Sequence, residues 1–327
     1  MSNYSLNGIS LSGKGFKPGQ FDNSNLAITG AWDMPARIGK TYHDWGNDLN
    51  NIEPYVLEEE IRFGGRDISL KLLIKANSKH QALNDIYSLY KDIDAFNGLV
   101  PLVSDKWGSW NVYVKAEISA NYVGNGLAEL TLPFREPIVN LNGTLPHGIP
   151  DFSPIVNGDN QPIFINDQPL NIGSINYDGY GIDGVKFKHI GITVLRMIGQ
   201  FNRPAPKSFQ SSSYSNEGFK ITKSGIREIL LTCLIIKSDY QSFISTIKSL
   251  YALFSKPGLR YITKENDALR DFFVKDGFSI KNVRVRDRVS AIMEVKLSEV
   301  SVSTNWGILT DATDTEILTE FGNIIIT

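Results

Sequence analysis

The sequence predicts a mainly β protein of the α+β kind, built as two tandem barrel- or sandwich-like units, each with one packed helix. Three observations carry this. The chain is long enough for two cores, it resembles itself at a fixed offset, and inside each copy an apolar period of two changes to 3.6 and back. Its 327 residues are 42% hydrophobic, 11% aromatic and 21% charged, an ordinary globular composition. Halves of about 150 residues bury roughly two-thirds of their unfolded surface, so neither disulfide nor metal is needed for a core. The single cysteine, Cys233, excludes an internal disulfide and a cysteine-based zinc site. With 33 Lys and Arg against 35 Asp and Glu, the net charge of −2 argues against a generic binder of nucleic acid or membrane surfaces. The start has no apolar run behind a basic end, and no stretch approaches about 18 uninterrupted apolar residues. The expectation is a protein made in the cytosol without a membrane anchor.

The repeat shows when the sequence is slid by 161 places, which sets Arg66–Tyr90 on Arg227–Tyr251 with nine of 25 pairs identical. Average composition gives roughly two. Gly98-Leu99 then aligns with Gly258-Leu259, Val112–Lys115 with Phe272–Lys275, and Glu129–Leu132 with Glu294–Leu297. Upstream, Gly30–Pro35 faces Gly199–Pro204.

Element by element, Ile68, Leu70, Leu72 and Ile74 alternate with Ser69, Lys71 and Lys75, the period of a strand with one buried face. Asn77 or Ser78 caps a helix whose stripe is Ala82, Leu83, Ile86, Leu89, Tyr90 and Ile93, and Asn97-Gly98 ends it. In the second copy Ser238 or Asp239 caps, Phe243, Ile244, Ile247, Leu250, Tyr251 and Phe254 form the stripe, and Pro257-Gly258 terminates. Strands follow at 110–118 and 127–134, and at 271–280 and 291–300. The stretch 140–173, with five prolines, reads as a linker or arm, dividing the chain into 1–139, 140–173 and 174–327. Residues 44–54 and 207–218 read as long polar loops. The first and last 25 residues fall outside the repeat, with Ile324–Ile326 a candidate terminal strand.

A strand, one amphipathic helix, a Gly turn and a last strand running through Leu130-Thr131-Leu132-Pro133-Phe134-Arg135-Glu136-Pro137 resembles the tail-tube domain of long-tailed bacteriophages, as found in the distal tail protein and baseplate hub families. The match covers about 100 residues of the first half; the second copy follows the same plan without the terminal Pro-Phe. The resemblance implies a structural virion protein, assembled in the host cytoplasm, that rings the channel at the tail tip of a phage or related injection device. DNA passes through it passively. It also implies a homo-oligomer, either a trimer with six quasi-equivalent units or a hexamer, contacting the tail tube protein above and tip or receptor-binding proteins below. No catalytic, cofactor or metal-binding residue is carried over.

Candidate sites are few. Gly8-x-x-x-x-Gly13-Lys14 lacks the Ser or Thr of a phosphate-binding loop, having Gly15 there. The G-x-G-x-x-G run Gly179–Gly184 precedes a strand pattern, not the helix a dinucleotide site needs. His43, Asp44 and Asp48 share a polar loop below the specificity of a metal site, and Cys233 sits in an apolar strand as a small hydrophobe. An enzyme is not expected, and no cofactor is. For assembly, Leu230, Leu234 and Ile236 make the second face of their strand apolar, a candidate subunit interface. Arg284, Arg286 and Arg288, spaced by two, would put three guanidiniums on one side of a strand for docking on an acidic ring. Glu58, Glu59 and Glu60 are candidates for a negative channel lining that lets DNA slide. The rival function is a β protein binding carbohydrate or a surface polymer, with Trp45, Trp107, Trp110 and Tyr122 as stacking platforms.

Overall fold

The computed structural model describes residues 2–21, 23–45, 52–145, 164–165, 168–169, 180–182, 185–204, 206–213, 216–263 and 270–299. The chain opens with a hairpin of β1 (Tyr4–Leu6) and β2 (Ile9–Ser10). Asn7 and Gly8, both at positive φ, supply the two left-handed residues that such a turn demands. Then come β3 (Phe16–Pro18), β4 (Ile28–Thr29), the hairpin β5 (Tyr42–Asp44) and β6 (Ile52–Pro54), and the long β7 (Arg66–Lys75). Helix α1 (Lys79–Asp94) is capped by Ser78, whose Oγ accepts from Gln81 N at 3.2 Å. β8 (Val100–Ser104), β9 (Gly108–Val114), β10 (Ser119–Gly124) and β11 (Leu127–Glu136) complete the first unit. Its sheet runs β2-β1-β8-β9-β11-β7-β3, with β10 beside β11 and β4 beside β7. β7 and β11 pair in antiparallel register from Lys75 opposite Leu127 to Arg66 opposite Glu136. Ile68, Leu70, Leu72 and Ile74, with Ala128, Leu130, Leu132 and Phe134, form the buried face, as the alternation demands.

Between the units lie two-residue strands, β12 (Phe164–Ile165) and β13 (Gln168–Pro169); residues 146–163 of the Pro-rich stretch are outside the described residues. The second unit has β14 (Gly181–Ile182), β15 (Val185–Lys186), β16 (Ile192–Ile198), the hairpin β17 (Pro206–Ser213) and β18 (Asn216–Ser224), and β19 (Arg227–Lys237). Helix α2 (Tyr240–Ser255) follows, then β20 (Arg260–Thr263), β21 (Arg270–Phe273), β22 (Phe278–Val285) and β23 (Val289–Glu299). Asp239 caps α2, its carboxylate accepting from Ser242 N at 2.8 Å and thereby held down at about 2. The sheet order is β15-β14-β20-β21-β23-β19-β16 with β22 beside β23, the first sheet's order strand for strand. The protein is mainly β, two units of one topology.

Equivalence extends to register. Val100 faces Val112 as Arg260 faces Phe272, and Leu6 faces Ile9 as Ile182 faces Val185. An ion pair closes each long strand pair, the nearly buried Arg66 Nε to Glu136 at 2.6 Å and the buried Arg227 Nη1 to Glu299 at 3.1 Å. One difference interrupts the match. β16 is a single strand along β19, whereas β3 and β4 share its role along β7, with residues 19–27 inserted between them.

Three expectations are corrected here. Phe134 lies opposite Ile68 and Leu297 opposite Ile229, so Glu129 corresponds to Ile292, two places from the Glu294 that similarity selected. Of the first 25 residues, 4–18 belong to the repeat, β1 to β3 standing where β14 to β16 stand. Segments 44–54 and 207–218 carry two-stranded hairpins in place of simple loops. Ile324–Ile326 are outside the described residues. No described helix is long and apolar enough to cross a membrane.

Candidate functional site

The seam between the units is built by one short segment. Gly30, at φ +76, turns the chain off β7 so closely that a Cβ there would stand 2.0 Å from Asp67 O. Only glycine fits. The turn throws Trp32 into the second unit, where it is 3% exposed and meets Tyr240 and Phe243 of α2 edge-on. Its indole N–H donates to Tyr240 Oη at 3.2 Å, and that hydroxyl donates to Trp107 O at 2.5 Å. Tyr251 Oη donates to Trp32 O at 2.7 Å and accepts from Arg66 at 2.8 Å. Burial pushes both tyrosines well above the usual phenol range.

The same segment continues along the edge of β22. Asp33 Oδ1 accepts from Ile280 N at 2.7 Å, Met34 N donates to Phe278 O at 2.9 Å, and Arg37 N donates to Lys275 O at 2.7 Å. Gly277, at φ +66, leaves room for it, since a Cβ would stand 2.1 Å from Met34 O. Desolvation raises the Asp33 carboxyl to about 6 despite the Ile280 hydrogen bond and the Arg66 charge. Burial, then the neighbouring Arg260, lowers Arg37 to about 10. The 19–27 insertion adds a clip, with Ser24 Oγ on Val283 O at 2.8 Å and Asn25 Nδ2 on Val285 O at 2.6 Å.

The equivalent place on the first unit is open. A groove of about 710 Å³ runs between α1 and the 115–118 turn, walled by Tyr90, Ile93, Tyr113, Val114, Ile118 and Phe134. Tyr113 is 40% exposed where Phe273 is fully buried. On the outer edge of β10 Val123 is 61% exposed where Val283 is 4%.

The sequence-predicted residues fare unevenly. Leu230 and Leu234 are half-buried and Ile236 is 41% exposed on one face of β19. That face is not wholly apolar. It also carries Thr232 and Glu228, whose carboxylate is lowered by hydrogen bonds from Lys275 and, more weakly, Lys296. The arginine stripe is corrected. Only Arg284 lies in a strand, its Nε donating to Asn23 O at 3.0 Å, while Arg286 and Arg288 sit in the hairpin turn. Asn282, at φ 54, begins the irregularity that breaks the alternation. Glu58, Glu59 and Glu60 form one exposed 3-10 turn. Cys233 is buried and burial pushes its thiol up to about 12. Lys14 is ion-paired with Asp92 on α1, and a strand, not a helix, follows it. Gly179 and Gly184 are outside the described residues; Val185-Lys186 after them is a strand. His43 bonds Lys40 at 2.8 Å and packs on Trp45, while Asp48 is outside the described residues. The proposed aromatic platform is dispersed. Trp110 is 5% exposed with its N–H on Ala31 O, and Trp107 packs on Tyr240. No group of three His, Cys, Asp or Glu residues that could hold a metal occurs among the described residues. Sequence reasoning missed the seam itself; its one trace was the weak pairing of Gly30–Pro35 with Gly199–Pro204.

The class these observations define is a mainly β protein of two equivalent units joined by a segment-in-groove contact. No family model matches the chain, and no curated protein does. Among solved structures, the chain is similar to the Dit protein of phage SPP1, described as a paradigm of the hub adsorption apparatus in phages that infect Gram-positive bacteria. That similarity covers 90% of this chain and 99% of the other, at 8% identity and a TM-score of 0.31.

Proposed function

We propose that the protein is a non-enzymatic structural component of the tail tip of a long-tailed phage or a related injection device. It assembles into a ring that continues the tail tube and connects it to the tip proteins. One observation carries the assembly: the seam is heterologous, a segment of the first unit filling a groove of the second. The groove beside α1 of the first unit stays open, free to receive a segment of another copy. Repetition of such a contact closes a ring where the rotation permits. Three chains would give six quasi-equivalent units. The resemblance of strand β7, helix α1 and strand β11 to the tail-tube domain supplies the setting, with DNA passing through the channel and exposed Glu58–Glu60 suited to its wall. The Leu230, Leu234 and Ile236 face is a second surface for a neighbouring tail protein.

The test is the mass of the purified protein over a concentration series, with negative-stain imaging. The reading expects rings of six density lobes, from three chains, that stack on the cognate tail tube. A monomer at every concentration, with or without tube protein, would overturn it.

A further inference from the structure

We infer that the open groove beside α1 receives the β17–β18 hairpin of a second copy of this chain. The inference deepens the ring reading and rests on it. Its template is the closed groove of the second unit, where Tyr251, Phe254 and Phe273 stand at the places of Tyr90, Ile93 and Tyr113. All three are buried there. The cover comes from either end of the first unit's β5–β6 hairpin. The Tyr42 ring lies edge-on to Phe273 at 6.5 Å between centroids, and Val56 O accepts from Gly258 N at 2.7 Å. On the first unit Tyr113 and Gly98, the counterparts of Phe273 and Gly258, line the open groove.

The β17–β18 hairpin lies between β16 and β19 as β5–β6 lies between β4 and β7. Its strands are longer, eight and nine residues against three and three, and they pair with no third strand among the described residues. A two-stranded ladder is marginal alone in water. Register sets Lys207 opposite Lys223, Phe209 opposite Ile221 and Ser211 opposite Phe219, which places two phenylalanines and an isoleucine on the face that carries the lysine pair. Like charges directly opposite destabilise a free hairpin, and facing carboxylates reverse that. The groove supplies them. Asp94 and Glu117 line it, both exposed, at the places where the closed groove has Ser255 and Gly277. The hairpin side changes sign in the same sense: β5–β6 carries His43, Asp44 and Glu53, whereas β17–β18 carries Lys207, Lys220 and Lys223 against Glu217 alone. An acidic groove selects the basic hairpin and disfavours the acidic one.

The experiment couples carboxylates to lysines with a zero-length carbodiimide in a mixture of isotopically light and heavy full-length chains. Lys207 or Lys223 of one isotope should be joined to Asp94 or Glu117 of the other. Asp94→Lys with Glu117→Lys, at exposed sites, should leave the far-UV spectrum and melting unchanged while weakening self-association about tenfold. Adding Lys207→Glu and Lys223→Glu to the same chain should restore it. Rings that persist in the Asp94→Lys, Glu117→Lys protein, with no light-to-heavy link in the wild type, would overturn the joint and leave the ring reading standing. Weakening that the lysine reversals fail to restore would overturn it as well. A wild-type protein that is monomeric throughout would overturn both.

Discussion

Helices α1 and α2 are both 16 residues long, both are capped by the side chain before them, and both follow the same strand of the same sheet. They differ in how much of them is dry. α2 buries seven residues, α1 only Ala82, Ile86 and Leu89. The difference follows the neighbour, because the first unit's Trp32 segment lies on α2, whereas among the described residues the Tyr90 and Ile93 end of α1 borders an open groove. Composition follows the same division: Tyr240 and Phe243 at the start of α2 correspond to Lys79 and Ala82. A contact formed once, during folding, can be wholly apolar. A face that stays open to water is kept more polar.

The comparison breaks most visibly at the aromatics that follow the two matching glycines, Trp32 and Phe201. Trp32→Ala should cost about 3–5 kcal/mol in denaturant unfolding, the range for deleting a buried large aromatic. Phe201→Ala should change the stability of the dilute protein by less than about 0.5 kcal/mol. Equal losses would mean that the two positions have the same surroundings. A smaller effect comes from the acceptors that follow them. Asp33 has its carboxyl raised from 3.8 to about 6, so its contribution is full below pH 4 and is lost as pH rises through 6. The loss is at most about 3 kcal/mol, from roughly two pKa units. Asp33→Asn keeps the Oδ1 acceptor for Ile280 N and should flatten unfolding free energy between pH 4 and 6. A wild-type curve with no such slope would place Asp33 in water.

Much of the unit was legible because its longest elements carry long periods. β7, α1 and their counterparts align without a gap, and the buried faces follow from alternation alone. The β11 and β23 alignment went wrong by two residues for a physical reason: a shift of two keeps every side chain on its face, so hydrophobicity cannot detect it. Only the pairs Arg66 to Glu136 and Arg227 to Glu299 fix the register, and these appear when the strands are laid side by side. The strands of the first 25 residues span two or three residues each, too short for any period to show. The arginine stripe failed at Asn282, where a left-handed residue ends the alternation. The seam was nearly invisible because it joins residues 24–37 to residues 240–285, far apart in sequence, where no local period carries the pairing. Its one repeated trace was an aromatic two places after a glycine, Trp32 after Gly30 and Phe201 after Gly199.

Amide hydrogen exchange in dilute and concentrated protein bears most directly on the proposal that the groove beside α1, open in the single chain, is covered when chains assemble into a ring. Residues 275–280 should be protected at every concentration, whereas residues 115–120 should exchange freely in dilute protein and slow as it assembles. Assembled protein in which 115–120 remain as open as in the monomer would contradict it.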